Sequence, residues 1–205
     1  MPGKIKKQFL ASIGRDNPVF VQVLGICSTL AVTNVLENTV VMCLGLIFAT
    51  ACSSFTVSLL RRQIPGSIRM MVETLIIAAY VIIVDLVIQA TLPTISRQLG
   101  PYVGLIITNC IVMGRAEAYA LNNPPLPSLI DGVAAGVGYS YILMIIAFFR
   151  ELTGSATIWG HAVPGFSSWW VNWSIMVMAP GAFFALAGLI WIIKTYIVTD
   201  ETGGK

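Results

Sequence analysis

The chain reads as long, nearly unbroken apolar runs separated by short polar breaks, with neither the strict alternation of a strand nor the one-sided stripe of a surface helix. Six runs cover residues 18–36, 38–60, 70–92, 98–114, 132–149 and 173–193. A bilayer core of ~30 Å needs roughly 20 helical residues at 1.5 Å each. Most of the runs meet that length, and 38–60 has no charge at all. The fourth is marginal, because its 17 uncharged residues are interrupted early by Pro101. The pattern predicts an all-α, polytopic membrane protein with six transmembrane helices, the first and fourth being short or half helices. A cytoplasmic segment (1–17) would precede a single membrane domain (18–194), and a short cytoplasmic tail (195–205) would follow. Three spans in each half, about 18–92 and 98–193, make the second half start from the opposite face, which predicts two inverted three-helix repeats. In such repeats functional groups tend to sit near the midplane.

Composition agrees. Hydrophobic residues make up 57% of the 205, charged residues 10%, and the mean hydropathy is +0.85, far outside the range of a soluble domain. The net charge of +3 serves topology rather than nucleic-acid binding. Lys4, Lys6, Lys7, Arg15, Arg61, Arg62, Arg69, Arg115, Lys194 and Lys205 fall on one side of the predicted topology, and only Arg97 and Arg150 on the other. By the positive-inside rule both termini are expected in the cytoplasm. The outer loop then carries Trp159, Trp169, Trp170 and Trp173, which fit an interfacial belt. Residues 1–17 lack the apolar core of a signal peptide, so the first span is expected to persist in the mature chain.

Chemistry must come from the few polar groups inside the runs. Each half opens with a span holding one cysteine, Cys27 in "LGICSTLAV" and Cys110 in "ITNCIVMGR". Free cysteines in a core act as small hydrophobes, which suffices for Cys43 and Cys52. For Cys27 and Cys110 packing and metal ligation stand about level, the matching layout raising the second. Soft thiolates select zinc, copper or iron–sulfur centres. A two-iron cluster needs four ligands, so two would have to come from another subunit. Thr108, Asn109 and Ser28 flank the cysteines and can hydrogen-bond to sulfur or cap and pack helices. Asp85 is a candidate ion-path residue, although a structural polar partner is the more frequent role of an intramembrane carboxylate. Glu73 is placed to pair with Arg69 at i−4, while Arg115 with Glu117 and Arg150 with Glu151 suit interface pairs. "LNNPPLPS" (121–128) reads as a stiff connection. His161 has no companions, and no GxGxxG fingerprint or P-loop is present.

The stretches "GLIITNCIVMGRAEAYA", "GICSTLAVTN", "SSFTVSLLR" and "IPGSIRMMVETLIIAAYVIIVD" resemble the D-type membrane subunits of sodium-translocating NADH:quinone oxidoreductases (the NqrD/RnfE family). The family is shared with two membrane subunits, A and E, of the Rnf electron-transport complex. "SIRMMVETLIIAAYVIIVD" and "FFRELTGSATIWG" look closer to the quinone-reductase branch. The resemblance implies a subunit of a six-subunit complex in the bacterial inner membrane, paired with a homologous six-helix subunit (E type) of inverted orientation. Between them the two would hold one [2Fe–2S] cluster, with Cys27 and Cys110 as this chain's ligands. NADH, flavins and ubiquinone would bind other subunits, and the isolated chain would have no activity. The corresponding subunit of the Rnf ferredoxin:NAD oxidoreductase is the alternative. A transporter or scaffold without a redox centre is the alternative of another class.

Overall fold

The computed structural model describes residues 24–91, 93–155, 157–158, 161–162 and 178–202. The N-terminal segment, the start of the first predicted span and the tryptophan belt lie outside the described residues. Within them the chain is helical, apart from a hairpin of two two-residue strands, β1 (Thr157–Ile158) and β2 (His161–Ala162), paired antiparallel.

The helices are α1 (Ile26–Val32), α2 (Leu36–Leu60), α3 (Arg69–Thr91), α4 (Pro93–Ile107), α5 (Cys110–Arg115), α6 (Pro125–Ser155) and α7 (Ala179–Thr202). A 3-10 turn (Gly66–Ile68) leads into α3, and a π-helical segment (Ala116–Ala120) follows α5. Three helices among the described residues are long and apolar enough to cross a membrane: Leu36–Leu60, Gly66–Thr91 and Pro125–Gly154. Several hydroxyl groups inside α2 are satisfied by its own backbone, while Ser58 donates to Asn123 O and Ser54 Oγ is buried without a partner among the described residues. Thr50 donates to Leu46 O (2.6 Å), Ser53 to Thr50 O (3.2 Å) and Thr56 to Cys52 O (2.9 Å). Turned back in this way, they add little polar cost to an apolar helix.

Two expectations are corrected. The fourth span does not break at Pro101, which lies inside α4. It breaks at Thr108–Asn109, where the asparagine side chain supplies a new N-cap. The 121–128 stretch is a connection only as far as Pro124. Pro125 opens α6, because proline has no N–H to lose in a first turn and its φ suits a helix.

Two compact units divide the chain. The first contains residues up to Ser28 and Val41–Ser140; the second contains Thr29–Val40 and Tyr141–Lys205. In the first, Met42, Leu46, Ile77, Val81, Ile106, Ile111 and Tyr139 are fully buried or nearly so. There α2 and α6 come close at Gly132, where a β-carbon would meet Thr50 O at 2.9 Å. Tyr80 of α3 reaches α2 through a 2.7 Å bond with Thr56 Oγ1 and an edge-to-face contact with Phe48. The opposite face of α3, with Met71, Leu75, Ile82 and Leu86, is exposed, as lipid or another protein requires. In the second unit, residues 150 and 151 satisfy the turn between α1 and α2. Glu151 Oε2 accepts from Leu36 N (2.8 Å), and Arg150 Nη1 donates to Thr33 Oγ1 (2.5 Å).

Candidate functional site

The site is built where two helices begin, α1 at Ile26 and α5 at Cys110. Gly25 precedes α1 with φ +89°, a left-handed conformation that side chains disfavour. The turn it makes puts Cys27 in the first turn of α1. Asn109, in an extended conformation, caps α5 by accepting from Ile111 N through Oδ1 (3.1 Å), which makes Cys110 the first residue of that helix. The two sulfurs come within 3.7 Å of each other across 83 residues of sequence.

A hydrogen-bond chain runs beneath them. Asn109 Nδ2 donates to Ser28 Oγ (3.0 Å), Ser28 shares a 2.5 Å bond with the Tyr139 hydroxyl, and Tyr139 donates to Gly25 O (2.6 Å). With the tyrosine proton committed to Gly25, Ser28 is left as donor to Tyr139 and acceptor from Asn109, so each hydroxyl is used in both directions. Ser28, Asn109 and Tyr139 are fully buried. The ring of Tyr139 fills the space beneath Gly25, where a β-carbon would stand 2.6 Å from it. The sulfur side differs: Cys27 is half-buried and Cys110 exposed. A rigid, hydrogen-bonded floor therefore presents two thiols at the surface of this chain.

The sequence matches the family described as "Rnf-Nqr subunit, membrane protein" over residues 5–190. The chain belongs to the Rnf-Nqr family of membrane subunits. As a subunit in that family it has its place in a multisubunit, redox-linked membrane complex.

Of the residues singled out in this Rnf-Nqr chain, Cys27, Ser28, Asn109 and Cys110 meet at one place. Thr108 is exposed and takes no part in the network among the described residues. Asp85 is half-buried, and its carboxylate accepts from Gln89 of its own helix at 2.7 Å. Cys43 is buried against Ser140 O at 3.9 Å, apart from the site.

The charges pair differently from expectation. Arg69 bonds Glu117, not Glu73, since the π segment carries Glu117 to it. Arg115 forms a two-pronged pair with Asp131, its Nε donating to Oδ2 at 2.9 Å and its Nη2 to Oδ1. Tyr139 and Asp131 are the residues that sequence reasoning missed. A signal existed for each: a tyrosine hydroxyl inside an apolar run needs a partner, and so does an aspartate just ahead of one.

Proposed function

We propose that this chain is the D-type membrane subunit of a redox-driven sodium pump that carries electrons from NADH to ubiquinone. In this reading Cys27 and Cys110 supply two of the four cysteine ligands of an intramembrane [2Fe–2S] cluster. A homologous six-helix subunit of inverted orientation (E type) supplies the other two. The assembly lies in the bacterial inner membrane, with both termini of this chain in the cytoplasm.

The observation that carries the reading is the 3.7 Å between the sulfurs. Two thiolates bound at about 2.3 Å to one tetrahedral metal stand about 3.75 Å apart. A disulfide would need about 2.05 Å, so the two thiols are free and close enough to share one metal. The donor set fits a shared centre as well. No group of three or more His, Cys, Asp or Glu residues able to hold a metal occurs among the described residues. The cysteine pair is exposed enough for a second protein to complete the coordination. The stretches nearest the quinone-reductase branch, "SIRMMVETLIIAAYVIIVD" and "FFRELTGSATIWG", favour the sodium pump over the ferredoxin-linked complex.

When bound, such a cluster supplies a one-electron centre that divides a crossing of ~30 Å into shorter transfers. The chain's own residues prepare its place. Asn109 sets the first turn of α5 and with it the direction of the Cys110 side chain. Gly25 and Tyr139 hold the entry to α1, and with it Cys27.

Replacing Cys27 or Cys110 by alanine in the assembled complex is expected to abolish the paramagnetic signal of the reduced cluster and the electron transfer that depends on it, with the subunits still associated. Cys43→Ala is expected to keep both. An unchanged signal in either of the first two variants removes the redox role and leaves a packing or scaffold role for the cysteines. If the cluster is lost as expected, identifying the physiological acceptor as quinone or NAD decides between the two complexes of the family.

A further inference from the structure

Away from the cysteines, the first unit holds a second polar cluster, and it is incomplete. Glu73 stands in the second turn of α3 and is fully buried. Among the described residues neither of its carboxylate oxygens has a hydrogen-bond partner, and Oε2 of Glu117 is also buried without one. The charged groups that face Glu73 are Arg69 of its own helix and Glu117 of the π segment. The Arg69 guanidinium is taken up by the other Glu117 oxygen. The surroundings are apolar: Ile76, one turn along α3, packs against the cluster of Val57, Ala116 and Ala120. Among the described residues, two carboxylates against one guanidinium leave one negative charge uncompensated, and the Glu73 end of the cluster is fully buried. A lone buried charge is among the costliest features a fold can carry, and in practice a counter-charge or proton neutralises it.

We propose that Glu73 and Glu117 form a binding site for one monovalent cation, a proton or an alkali metal ion. Two features select that class. A single positive charge brings the cluster to neutrality, whereas a divalent ion overshoots. A basic side chain of another subunit is excluded because Glu73 has no exposed surface to meet it. The π turn that delivers Glu117 is itself a local departure from α geometry of a kind frequent at functional sites. The site uses neither cysteine, so it stands or falls independently of the cluster reading.

The test is infrared difference spectroscopy on the assembled complex in lipid. Choline, which is too large for the site, is exchanged for Na⁺, Li⁺ or K⁺ at constant pH, and the pH is then lowered in choline alone. The wild type is expected to show one carboxyl-band change, Glu73→Gln to lose it completely, and Glu37→Gln, at an exposed position on α2, to retain it. A change on adding an alkali ion identifies that ion as the ligand. A change on acidification alone, with a carboxylic C=O stretch that Glu73→Gln removes, identifies a proton. The proposal is overturned if every carboxyl band is the same in the wild type and Glu73→Gln. Should Glu73→Gln fail to assemble, Glu117→Gln decides, since loss of the same band supports the site and its retention overturns it. Repeating the measurement with Cys27→Ala is expected to leave the band in place.

Discussion

Two polar clusters share one compact unit, and they are finished to different degrees. Beneath Cys27 and Cys110 every step has both ends: Asn109 to Ser28, Ser28 to Tyr139, Tyr139 to Gly25. Around Glu73 three carboxylate oxygens have none. The first cluster spends its hydrogen bonds on holding a position and leaves only the sulfurs open. The second holds its charges close without satisfying them. A buried polar group with partners therefore speaks for architecture, and one without them points to something the chain receives from outside.

The comparison is broken most forcefully at Gly25. Gly25→Ala combines the left-handed penalty with a methyl group driven into the Tyr139 ring, a loss of about 4 kcal/mol. The expected result is a large fall in the thermal midpoint of the full chain, with the cysteine pair disordered as well. Next comes Asp131→Ala, which strands Arg115 beside a site that is 1% exposed and is expected to cost about 3 kcal/mol in the same measurement. Tyr139→Phe keeps the ring but removes the hydroxyl that joins Ser28 to Gly25, for about 2 kcal/mol. Its sharper readout is the rate of chemical cross-linking between Cys27 and Cys110, which should fall if the floor sets their separation. Arg69→Ala is expected to do least, about 0.5 kcal/mol, because both partners of its pair are at least one-third exposed. A drop as large as that of Asp131→Ala would mean that the Glu73 cluster depends on Arg69 far more than its exposure suggests.

The long helices could be read directly from the amino acids. The apolar runs 38–60 and 70–92 became α2 and α3 within two residues at either end, since a predominantly apolar run of that length has little else to form. Breaks were harder. Pro101 drew attention as a helix breaker and is tolerated, whereas Asn109, one more polar residue before a cysteine, ends one helix and starts another by capping. The three prolines of 121–128 suggested a turn, yet Pro125 and Pro127 lie in the first turn of α6, where proline is least disruptive. At the site, Cys27 and Cys110 were conspicuous as single sulfurs in matching spans. Their approach to 3.7 Å is a tertiary fact that no local pattern contains. The partner exchange among Arg69, Glu73 and Glu117 escaped for the same reason: i−4 spacing favours Arg69 with Glu73, and only the π turn brings a competitor from 48 positions away.

The openness of the thiol pair also bears on how such a protein is made. A newly synthesised copy carries two adjacent sulfurs that an oxidant can reach. If a companion subunit completes the metal site as proposed, closing them into a disulfide would seal off the groups it has to meet. Timely pairing of nascent chains, or a reducing milieu until they pair, is then a condition for a productive assembly line.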